Sequence, residues 1–223
     1  MNLRTRRPDE EASYEDPRIS GPLALPGKYT VTLIKEIDGK PSDLTSPVAF
    51  NVVPLEMAAF AAKDKAATLA FNQKVSRLQR AVEGTLRAAG EIQTRLDHLR
   101  KAITQTPGAS PDLLAEVRSL DQRLHALQTQ LRGDPSLAKR EEPMPPSIAQ
   151  RVQSIVGTQW RVTSAPTQTH RDAYRYAGEA FEKTLADFRT LADRDLPAFE
   201  SKLEAAGAPW TPGRIPQWKM ERE

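Results

Sequence analysis

The chain has 223 residues, enough for one large domain or two small ones, of which 39% are apolar and 6% aromatic. Its 32 basic and 29 acidic side chains leave a net charge of +3, and the one dense basic cluster, Arg4, Arg6 and Arg7, is followed at once by Asp9, Glu10 and Glu11. That balance argues for a solvated, mixed-charge surface and against a nucleic-acid partner, while the lack of cysteine excludes disulfides, thiolate catalysis and cysteine-bearing metal sites.

Residues 1–20 are polar, carry no periodic pattern and are expected to be extended or disordered. No apolar run follows the basic N-terminus, so no signal peptide is expected. Nor does any stretch approach the roughly 18 apolar residues of a membrane span. Pro26-Gly27 then makes a turn. Tyr29, Val31 and Leu33 alternate with Thr30, Thr32 and Ile34 at the strand period, predicting a first strand that runs to Ile37. Asp38-Gly39 is a turn signal, but the connection is expected to continue to Ser46. A second strand follows, in which Val48, Phe50 and Val52 alternate with Ala49, Asn51 and Val53 until Pro54 stops it. No further strand is expected, and two strands alone lack an opposing layer for their apolar face.

From here the period changes to about 3.5. Phe71, Val75, Leu78, Val82, Ala89, Ile92, Leu96, Leu99 and Ile103 form one apolar seam, about 48 Å long, on a first helix, with Thr85 the polar exception beside Leu86. Ser110-Pro111 opens a second helix through Leu113, Val117, Leu120, Leu124, Leu127 and Leu131, and Gly133 closes it. Residues 134–146 read as a charged, proline-rich loop. A third helix is expected from Pro146 to about Val162, burying Ile148, Val152, Ile155 and Trp160. The fourth runs from about Gln168 to Ala206, through Tyr174, Ala177, Phe181, Leu185, Phe188, Leu191, Leu196, Phe199 and Leu203, with a kink at Pro197 and a stop at Gly207. Four amphipathic helices on short loops predict a mainly α chain. An antiparallel four-helix bundle over residues 55–207 is expected, preceded by a β segment at 21–54 and followed by a proline- and tryptophan-containing tail at 208–223. A long two-helix coiled coil is the alternative.

The order Leu25-Pro26-Gly27-Lys28-Tyr29-Thr30-Val31-Thr32-Leu33, a second strand ending Val52-Val53-Pro54, and then a heptad-like helix resembles the C-terminal region of a bacterial protein family. These are exported proteins with BNR-repeat or sortilin-like (VPS10-type) β-propellers, often labelled glycosyl hydrolase or sialidase-like. Asn2-Leu3-Arg4 is similar to the tail of the family's preceding motif, and Asp195-Leu196-Pro197-Ala198-Phe199 to a motif near the end of its last helix. The resemblance implies that 21–54 is a partial Ig-like or fibronectin-like hairpin, that the chain is a fragment lacking the propeller, and that its location is periplasmic or extracellular. It further implies a non-catalytic accessory module that packs against or positions an upstream β-propeller. The alternatives are the end of a glycosidase-like enzyme whose active site lies in the missing propeller, or a free-standing helical protein-interaction module. Self-association through the exposed strand edge is a further expectation.

The sequence assigns no catalytic, cofactor or metal residue. His98, His125 and His170 lie on separate helices, and Asp97 and Asp121 are near them without the spacing of a metal site. Asp193 and Asp195 are two apart on a helix and hence on different faces, and Glu141 and Glu142 fall in the loop. Neither pair has the cleft that a glycosidase dyad needs. No G-x-S-x-G, phosphate-loop or dinucleotide motif occurs. Trp210 and Trp218 are expected to fold back onto the end of the helices, with carbohydrate or a partner protein as alternative contacts.

Overall fold

A computed structural model describes residues 21–54, 61–216 and 218–220. The N-terminal 1–20, with its expected extended course and basic cluster, and residues 55–60 lie outside them. The described chain is mainly helical, with short strands in two small two-stranded sheets. It divides into two compact units, one within Met1–Ser76 and Val156–Thr167, the other within Arg77–Ile155 and Gln168–Glu223.

In the first unit, β1 (Gly27–Val31) pairs antiparallel with β4 (Val48–Val52), Tyr29 opposite Phe50 and Val31 opposite Val48. The expectation of two strands is corrected here, because the connection is itself paired: β2 (Ile34–Ile37) runs antiparallel to β3 (Lys40–Asp43). Asp38 and Gly39, with φ of 50° and 74°, close the pair. Both residues can take a left-handed conformation, which a tight hairpin turn of this kind requires. The four strands are one long hairpin with a step in it. Thr32 and Leu33 on the outgoing side face Leu44–Pro47 on the return, two extra residues that act as an extended bulge. The Leu44 amide bridges the step to the Leu33 carbonyl at 2.8 Å.

The rest of the unit contains the first turns of α1 (Lys65–Gln105) and the last of α4 (Ile148–Gln159). Asp64 caps α1, its Oδ1 accepting from the Ala67 amide at 2.8 Å, so the helix starts six residues before the first seam residue, Phe71. Ala62, Phe71, Val75, Val156 and Trp160 are the buried apolar residues. The third helix was expected to reach Val162 but stops at Gln159, whose side-chain amide donates to the Ser164 carbonyl at 2.7 Å. No residue of 21–54 is buried.

The second unit is built on the helical seams. α2 (Pro111–Arg132) starts where Ser110 Oγ accepts from the Asp112 amide and ends where the Gly133 amide (φ 86°) bonds the Thr129 carbonyl. The expected loop at 134–146 contains a short helix, α3 (Pro135–Lys139), opened by Asp134 Oδ1 accepting from the Ser136 amide at 2.8 Å. Ser147 and Gln150 then form a reciprocal capping box at the start of α4.

The fourth helical stretch is α5 (Gln168–Arg189), a π-helical turn (Thr190–Asp195) and α6 (Leu196–Ala205). Proline at 197 cannot donate to the residue four before it. The helix widens by one residue per turn just ahead of it, so that the Leu196 amide bonds Leu191. α2 lies along α5, the π turn and α6. Ala89, Leu96, Leu99, Val117, Leu124, Leu191, Phe199 and Leu203 are among the side chains of one continuous buried cluster. Thr85 is tolerated in the seam because its hydroxyl donates to the Ala81 carbonyl at 2.9 Å.

Candidate functional site

Strand register and the two-residue side-chain period put Tyr29, Val31, Val48, Phe50 and Val52 on one face of the β1–β4 sheet and Lys28, Thr30, Ala49 and Asn51 on the other. The apolar face is organised. The rings of Tyr29 and Phe50 stack with centroids 6.0 Å apart, and the Tyr29 hydroxyl donates to the Leu25 carbonyl at 2.8 Å. Among the described residues nothing buries the face fully: Val31 is 53%, Val48 59% and Phe50 47% exposed, and Tyr29 and Val52 are half-buried. A side chain of this kind gains about 1.5–3 kcal/mol on full burial, so the face forgoes much of what a covering layer would supply. It holds no nucleophile and no acid–base pair. What it can do chemically is bind another apolar surface.

The residues weighed for chemistry are occupied or apart. Asp97 and Asp121 converge, but on Arg100, at 3.3 and 3.1 Å, and Asp121 also accepts from Gln93 at 2.7 Å. His98 is half-buried on α1, His125 is exposed on α2, and His170 lies on α5, where burial lowers its pKa below the ordinary imidazole value. Among the described residues, no three His, Cys, Asp or Glu side chains converge as a metal ion would require. Asp195 is held by Arg194 at 2.8 Å and Arg123 at 2.7 Å, which keep its carboxyl below the usual range. Glu142 pairs with Arg140 at 3.1 Å. None of these carboxylates lines either of two clefts in the second unit.

One of those clefts, about 290 Å³, is mainly apolar and lies between Val82 and Leu86 of α1 and Ala149 and Val152 of α4. The other, about 610 Å³, runs between Ser147, Arg151 and the α5 residues Tyr176, Lys183 and Thr184. Arg175 and Arg151 both stack on the Tyr176 ring, at 4.4 and 5.5 Å. This pairing of α4 with α5 has no signature in the sequence.

A buried charge network was equally unforeseen. Arg95 of α1 grips both carboxylate oxygens of Glu200 on α6, and Arg214, its side chain 9% exposed, approaches Glu200 from the tail and bonds Glu204 at 3.0 Å. The readable signal was Glu200 itself, a charge set between Phe199 and Leu203. Arg214 also lies over the Trp210 ring at 4.6 Å, so Trp210 is tied to the helices. Trp218 is 81% exposed and does not fold back, which corrects that expectation: the ion pairs that tie the tail to α6 are made by Arg214, four positions earlier. No helix of the described residues is long and apolar enough to cross a membrane. A scan against protein-family models, a search of curated proteins and a search of solved structures each returned no match.

Proposed function

We propose that the chain is a non-catalytic accessory module whose β1–β4 face docks onto a β-rich partner, and whose helices supply its stable, buried core. The reading takes the second unit as an antiparallel four-helix bundle, of α1, α2, α4 and the α5–α6 stretch, and the hairpin as an Ig-like remnant. The partner implied by the resemblance is an upstream β-propeller of an exported protein. The observation that carries this reading is the apolar face of Tyr29, Val31, Val48, Phe50 and Val52, on which Val31, Val48 and Phe50 are exposed. Such a face, which carries no charged side chain, has the apolar centre of a docking surface.

Calorimetric titration with a purified BNR-type propeller from the resembled family tests it. The expected outcome is binding with a negative heat-capacity change, as apolar burial requires, that Val31→Lys weakens by about tenfold or more. No binding, or binding indifferent to Val31→Lys, would contradict the proposal.

A further inference from the structure

The edges of the β1–β4 sheet are a separate feature from its face. β1 and β4 make a sheet of two strands only, so the β4 backbone groups that point away from β1 have no partner among the described residues. Proteins guard such edges with charge or proline. The β1 edge is guarded, by Pro26 just ahead of it and Lys28 within it. The β4 edge is not. From Leu44 to Leu55 the chain carries no charged residue, and its prolines, Pro47 and Pro54, bracket the strand without interrupting it.

The pattern of β4 is also symmetric in kind. Val48-Ala49-Phe50-Asn51-Val52 reads the same in either direction: apolar, small or polar, aromatic, small or polar, apolar. Laid antiparallel on a second copy with Phe50 opposite Phe50, Val48 meets Val52 and Ala49 meets Asn51. Opposite residues in such a ladder share a face, so every apolar residue stays with apolar neighbours and no like charges meet. The bracketing prolines leave room for these five pairs, and a shift by one residue would set Phe50 against Asn51.

We infer that the chain forms a two-fold dimer through the β4 edge, giving a four-stranded sheet ordered β1–β4–β4–β1. Four strands pass the limit below which a sheet lacks independent stability. The symmetry consumes both open edges, and the outer β1 edges carry Lys28, so association stops at two. The dimer uses the edge and leaves the apolar face free, so it is independent of the docking reading.

Sedimentation velocity of the full chain, from micromolar to millimolar concentration, is the test. The expected result is a reversible monomer–dimer equilibrium whose dissociation constant rises at least about tenfold in Ala49→Lys, a lysine on the unguarded edge, with unchanged helical circular dichroism. Because the chain has no cysteine, Phe50→Cys under mild oxidation should give a covalent dimer, and Thr30→Cys on β1 should not. A strictly monomeric chain overturns the inference. So does a dimer insensitive to Ala49→Lys in which Thr30→Cys cross-links as readily as Phe50→Cys.

Discussion

Glu200 is a carboxylate at a position that burial would give to an apolar residue, and it is held there by Arg95 and Arg214. Deleting one partner of a buried ion network leaves a charge without compensation. Glu200→Ala is expected to lower stability by about 3 kcal/mol, read from the midpoint of urea unfolding, whereas the double change Glu200→Met with Arg214→Met should lose less. A loss under about 1 kcal/mol for the single change, the scale of a surface pair, would show the network to be solvated.

His170 offers a pH test. Burial disfavours its charged form, so its pKa in the folded chain lies below the unfolded value of about 6.5. The associated stability is complete above that value and is lost as pH falls through the folded pKa. An NMR titration should find the His170 imidazole half-protonated below pH 6.5, with stability beginning to fall near pH 6.5 and the loss complete around that lower midpoint; a midpoint above 6.5 would contradict the assigned environment. At this scale the caps were legible, since Ser110, Gly133 and Gly207 act through neighbours in sequence. The Arg95–Glu200 contact was not, because 105 positions separate its members and only the folded chain brings them together.

Among the elements, the helices were legible in kind because the four-three rhythm of Leu113, Val117, Leu120, Leu124, Leu127 and Leu131 is also their burial pattern. Short elements were less so. α3 rests on the local turn chemistry of Asp134, Pro135 and Ser136, which reads equally as loop. The π turn depends on how one missing proline amide is accommodated, and several solutions fit the same sequence. The β2–β3 pairing was hidden by Pro41, which is tolerated because β3 is an edge strand.

Two helical glycines expose an unoptimised feature. A methyl group at Gly84 of α1 or Gly178 of α5 would meet nothing within 4 Å. Neither position has a steric need for glycine, and each costs helix stability through the freedom of the unfolded chain. Gly84→Ala and Gly178→Ala are each expected to raise stability by about 0.4–1 kcal/mol, seen as a higher thermal midpoint. Destabilisation by either would show that the bare backbone is needed at that point on the helix surface.

On the scale of the whole molecule, the chain separates what makes it stable from what it presents. All of the buried apolar side chains among the described residues lie at Ala62 or beyond, and none comes from the hairpin. This division was visible in the sequence as the change of period after Pro54. The exposure of the strands' apolar side chains among the described residues was legible as well, since two strands with one apolar face cannot bury it between themselves. No periodicity within 21–54 encodes a cover for that face. The docking account therefore rests on the hairpin being energetically separate from the helices. Amide hydrogen exchange on a dilute, monomeric sample measures this directly. The account predicts that amides of residues 28–52 exchange far faster than those of α1, α2 and α6, because their opening exposes almost no buried surface. Exchange of 28–52 as slow as that of the helices in the same monomer would contradict it, since the strands would then belong to the core.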